Sequence, residues 1–202
     1  MSPKDYGIGI AYGLGIDECG KPEIHSMNKL RKLNDMLYSG EVERGIIAVG
    51  SLSEATKELV LGLEFEGIRF DPEKIYEDMG RSTVHHMYNI RRLVDRWMRS
   101  GEIPTHVLLY HITHTWAAPR FKFDAGWVIA DYRSEIVEVE DGRPEDVIKE
   151  VDTNEEPKRM KYDKMASKVP ILSAYRPDLA QVVVSWPRFI LEEKYRKRVL
   201  PL

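Results

Sequence analysis

Apolar residues along the chain fall into two alternating kinds of run. Residues 6–12, 45–49 and 107–112 are short and continuously apolar, with Leu108, Leu109 and Tyr110 the clearest case. Continuous rather than alternating apolarity is the mark of strands covered on both faces, as in a parallel sheet. Residues 74–76 and 127–130 are read as two further strands. Between the strands the spacing turns helical. Met27, Leu30, Leu33 and Leu37 share one face of a helix over residues 27–38. A second helix is expected over 53–65, opened by Ser51 and Glu54 at capping-box spacing and closed by Gly67. A third follows Ser82, with Met87, Ile90, Leu93, Val94 and Trp97 on its inner face. Strand then helix, repeated about four times, predicts an α/β protein. Its fold is a Rossmann-like, doubly wound, mainly parallel five-stranded sheet with helices on both faces.

This unit is expected over residues 1–140. Residues 141–202 read as a charged linker and a helical C-terminal extension packing on the same domain. Residues 141–161 carry Pro144 and Pro157 and are expected at the surface, with a short helix at 145–151. Residues 177–186 and 188–198 read as two helices.

Composition narrows the function classes. The 202 residues hold 30 basic and 33 acidic side chains, so the net charge of −3 gives no reason to expect nucleic acid or an anionic membrane as main partner. The single cysteine, Cys19, excludes an internal disulfide and suits a reducing compartment. With no run of apolar residues long enough for a signal peptide or membrane span, a cytoplasmic location is expected. Gln181 is the single glutamine, and Glu, Lys and Arg are abundant, a bias common in heat-adapted proteins.

Ligands of open parallel sheets bind beyond the carboxyl ends of the strands, so the residues that follow each strand are the candidates. Gly13 and Gly15 follow the first. Ser51, Ser53 and Glu54 follow the second. Glu77, Asp78, Ser82 and Thr83 follow the third, and His111, His114 and Arg120 the fourth. Gly7-Ile8-Gly9 and Gly13-Leu14-Gly15 are either tight turns or places where backbone approaches a phosphate, but neither completes GxGxxG and no GxxxxGK[ST] occurs. Glu54 either caps its helix or binds a ribose, metal or amine. Five of the six histidines lie between residues 85 and 114. His111 and His114 could move protons near neutral pH. As a His-x-x-His pair they lack an assured third ligand, so no metal is expected, and no cofactor is identified. Arg120 offers a planar fork for phosphate or carboxylate. Arg91, Arg92, Arg96 and Arg99 read as a solvated helix face. Gly50-Ser51-Leu52-Ser53 lacks the Gly-x-Ser-x-Gly elbow of a serine nucleophile.

Four segments together resemble the YdcF/SanA/ElyC-like domain of unknown function. These are the glycine-bearing strand at residues 8–15, the strand ending at Gly50 with Ser53-Glu54-Ala55, the Glu77-Asp78 and Ser82-Thr83 element, and the strand leading to His114 and Pro119-Arg120. The match covers residues 6–132. Where the family has Asn-Thr-x-Glu-Asn, this chain has Ser82-Thr83-Val84-His85-His86. The resemblance implies a Rossmann-like sheet whose strand-end site is lined by Gly13, Ser51, Glu54, Glu77, Thr83, His114 and Arg120. Some relatives are membrane-anchored and linked to envelope synthesis.

The leading expectation is an enzyme or enzyme-like pocket for a small phosphorylated or nucleotide-type ligand, acting on phosphoryl or glycosyl-phosphate groups. Arg120 would hold the anion, His111 or His114 would move the proton, and Glu54 or Glu77 would bind the polar end. The alternatives are a non-catalytic module that binds a nucleotide such as S-adenosylmethionine, and a structural homodimer. In the last, Val182, Val183, Val184, Trp186, Phe189 and Ile190 form either the dimer face or part of the core.

Overall fold

A computed structural model describes residues 5–13, 22–49, 68, 70–80, 82–169 and 171–191. Strands β1 (Tyr6–Tyr12), β2 (Arg44–Val49), β3 (Ile75–Met79), β4 (Val107–His114) and β5 (Arg133–Val139) form one sheet. Its order is β3-β2-β1-β4-β5, and every neighbouring pair is parallel. This is the expected Rossmann-like α/β sheet.

One face of the sheet is covered by α1 (Ile24–Tyr38). Leu30, Leu33 and Met36 pack there on Ala11, Ile47, Ile75 and Ile112. The fit is close because β1 presents no side chain at Gly9. A Cβ there would stand 2.6 Å from Leu33 Cδ1. The other face is covered by α2 (Thr83–Ser100) and α3 (Ala118–Val128). Val84, Met87, Ile90, Val94 and Trp97 of α2 join Phe121, Ala125 and Val128 of α3 over Ile8, Ile10 and Leu109. Ser82 opens α2 by accepting a hydrogen bond from the His85 amide at 3.2 Å, and left-handed Gly101 closes it.

The fifth strand is not at residues 127–130, which hold the end of α3 and the turn after it. There Val128 and Ile129 are buried and Trp127 Nε1 donates to the Ser173 carbonyl at 2.9 Å. The true strand, β5, lies at the sheet edge and carries charges at its exposed positions Arg133, Glu135 and Glu138, since only part of it is covered. The charged stretch 141–161 is also more than a surface segment. It holds α4 (Glu145–Glu150), a π-helical turn (Val151–Glu155) and the start of α5 (Glu156–Ala166), and buries Asp141 and Glu156. After the one-turn helix α6 (Leu172–Tyr175), α7 (Pro177–Leu191) runs on through Pro187, where a break between two helices was expected, and residues 192–198 of the second lie outside the described residues. It packs on α5 and on α2. The expected helix at 53–65 lies outside the described residues, as do Gly15, Ser51, Ser53 and Glu54. Among the described residues no helix is long and apolar enough to cross a membrane.

Candidate functional site at the strand ends

From β1 the chain crosses to β2 and β3 on one side, and β4 and β5 lie on the other. In open α/β sheets such a reversal is where ligands bind, here beyond the carboxyl ends of β1 and β4. Side chains alternate along a strand, so the polar residues at these ends separate into two clusters on opposite faces.

On the face of α1, Lys29 is buried one turn into the helix. Its ammonium donates to the carbonyls of Tyr12 at 2.5 Å and Gly13 at 2.9 Å, at the end of β1. Gly13 turns the chain there with φ of 62°, a left-handed conformation that favours glycine. Burial pulls the amine down to about 7, against the attraction of Asp141. His114 ends β4 nearby. Its ring stacks on Trp116 and meets His25 edge-on, with centroids 5.6 and 5.8 Å apart. Burial, with Lys29 next in weight, lowers His114 to about 4, and burial with Lys29 and Arg143 lowers His25 to about 3. Both imidazoles are therefore neutral near pH 7.

Asp141 follows β5 and anchors the cluster. It accepts hydrogen bonds from Arg143 Nε at 2.6 Å, Arg143 Nη2 at 2.8 Å and Trp116 Nε1 at 2.9 Å. Burial works to raise its carboxyl, but these bonds and the neighbouring cations hold it below the usual range.

On the face of α2 and α3, the Tyr12 hydroxyl is 2.8 Å from His111 Nδ1. His111 is fully buried, and burial alone takes it down to about 3. Burial, then Asp78 and Asp124, push the Tyr12 phenol well above its ordinary value. Asp78, at the end of β3, holds His86 Nδ1 at 2.5 Å. Gly80 makes room for that ring, since a Cβ there would stand 2.4 Å from it.

Arg120 is buried beside this group. Its Nε donates to Glu156 Oε2 at 2.5 Å, its Nη2 to Glu156 Oε1 at 3.3 Å and its Nη1 to Thr83 Oγ1 at 2.8 Å. Asp124 and Asp163 each place a carboxyl oxygen 3.8 Å from Nη1. Burial opposes the guanidinium charge, and Glu156, Asp124 and Asp163 more than offset it. With Arg159, whose Nη1 donates to Glu156 Oε1 at 3.0 Å, two cations face three acids. Burial and the charge of Asp163 push Asp124 well above the carboxylate range, and burial raises Asp163. Gln181 Nε2 donates to Asp163 at 2.5 Å, and Ser82 Oγ donates to Gln181 Oε1 at 2.5 Å.

Of the residues singled out in sequence, the structure gathers His114 and Gly13 on one face and His111, Ser82, Thr83 and Arg120 on the other. Glu77 is half-buried beside Ile47 on the α1 side of the sheet. The fork of Arg120 closes on Glu156 of the C-terminal extension. Residues that sequence reading passed over include Lys29, Asp141, Arg143 and Asp124, whereas Asp78, a candidate after the third strand, is buried against His86. Lys29 carried a signal, because it lies four residues after His25 and four before the apolar Leu33 and so shares their helical face. Among the described residues no three His, Cys, Asp or Glu side chains are grouped to hold a metal ion. The chain matches no family model, no curated protein and no solved structure.

Proposed function

We propose that the chain binds a small anionic ligand, of phosphorylated or nucleotide type, beyond the carboxyl ends of β1 and β4. The observation that carries this reading is the buried ammonium of Lys29, held at the end of β1 beside His25, His114 and Arg143. A lysine has three donors, and among the described residues two of them go to carbonyls. The third remains for a ligand oxygen. An arriving anion favours the charged amine, so binding draws a proton onto Lys29. His114, held at about 4, is a weak base near pH 7, and its neutral ring is suited to share a hydrogen bond with such a ligand. The motif resemblance to the YdcF/SanA/ElyC-like domain supports the same edge of the sheet.

Calorimetric titration with inorganic phosphate, AMP and ADP tests this. At least one should bind with Kd of about 1 mM or tighter. Lys29→Met should weaken that binding by about tenfold or more, as one charge-assisted bond is lost, with the circular dichroism spectrum unchanged. Absence of binding by all three, or equal affinity in the variant, would refute the assignment.

A further inference from the structure

Residues 145–166 make one continuous helical rod. Glu150, Val151 and Glu156, at the junctions of α4, the π turn and α5, all keep right-handed helical dihedrals. At 1.5 Å per residue the rod is about 33 Å long. Charge is segregated along it. Glu145, Asp146, Glu150 and Asp152 are exposed in the first half, with Lys149 among them. Lys158, Lys161 and Lys164 are exposed in the second half, and Lys168 just beyond it. The acids of that second half, Glu156 and Asp163, are buried and turn inward to Arg120. What remains outside is a groove of about 410 Å³, lined by Pro157, Met160, Lys161, Lys164, Met165 and Lys168.

We infer that this rod is a self-association surface on which two copies of the chain pair antiparallel, the acidic half of each against the basic groove of the other. The charge pattern selects the second copy and the direction together. A two-fold axis near the π turn sets opposite charges side by side at both ends, whereas a parallel pair would set like on like. Such a contact uses the same patch on both copies and closes at two. A contact of this length buries on the order of 1,000 Å², the small end for a specific interface. Exposed ion pairs contribute about 0–1 kcal/mol each, so the dimer is weak and sensitive to salt.

Sedimentation equilibrium of the full chain reads the prediction. Self-association should weaken about tenfold or more between about 0.05 M and about 0.5 M salt. Lys161→Glu with Lys164→Glu should be monomeric, and so should Asp146→Lys with Glu150→Lys. An equimolar mixture of the two should restore the dimer, which misfolded variants would not do. The inference is overturned by a wild type that stays monomeric, by a dimer indifferent to salt and to both reversals, or by a mixture that stays monomeric. A monomeric wild type that sediments with phosphatidylserine vesicles would assign the basic groove to an anionic membrane instead.

Discussion

Asp124 carries the sharpest conflict of charge and place. It is fully buried, and among the described residues neither carboxyl oxygen has a hydrogen-bond partner. Burial and Asp163 raise its folded pKa above the ordinary 3.8. Between those two values the folded chain keeps a proton that the unfolded chain releases. The stability this group gives is therefore full below about pH 4 and is lost as pH rises toward the folded value. Asp124→Asn keeps the shape and stays neutral throughout. The variant should match the wild type near pH 4 and exceed it at pH 7, with a gap that widens by at most about 1.4 kcal/mol per pH unit. Urea unfolding at several pH values measures the gap. A gap that does not change with pH would mean that Asp124 is ionised in the folded state.

The glycines of β1 set how closely α1 and the chain after it approach the sheet. A Cβ on Gly7 would meet the Glu41 carbonyl at 2.5 Å, and one on Gly9 would meet the tip of Leu33 at 2.6 Å. Backbone yields less than a side-chain end. Gly7→Ala should cost about 3 kcal/mol and Gly9→Ala about 1 kcal/mol, and thermal unfolding would rank the two. Equal losses would mean that Leu33 is as fixed as the main chain. These glycines show where sequence reading strays. Gly7-Ile8-Gly9 resembles part of a phosphate loop, yet both glycines lie inside a strand, two apart, where Gly9 admits Leu33 of α1 and Gly7 the main chain that follows the helix at Glu41 and Val42. The buried strands β1, β2 and β4 and the stripe of α2 were legible, because covering both faces forces apolar runs. The edge strand β5 was not, because its exposed positions take charges and break the run.

At the scale of the whole molecule, Arg120 joins the sheet's helices to the C-terminal extension, since it bonds Thr83 of α2 and Glu156 of α5 together. Arg120→Met takes away the buried partner of Glu156 and leaves it with the more exposed Arg159, at a cost of up to about 3–5 kcal/mol. Hydrogen exchange should then quicken in α5 and α7 while the strands stay protected; uniform quickening would mean that extension and sheet open as one unit. This tie also limits what the sequence could tell of the site. Local pattern placed His114 and Gly13 at the strand ends. It could not reveal that Arg120 is met by an acid 36 residues further on, or that Lys29 reaches back to the Tyr12 carbonyl. Such partners are chosen by the fold and leave no periodic trace.

The central position of β1 also bears on how the chain is made. Tyr6 pairs with Val107, a separation of 107 − 6 = 101 residues. At about 5–20 residues per second, synthesis leaves one edge of β1 without its neighbour for roughly 5–20 s. A nascent chain in that interval presents an open apolar strand edge, so slowed translation ahead of β4 should favour chaperone capture and aggregation over native yield.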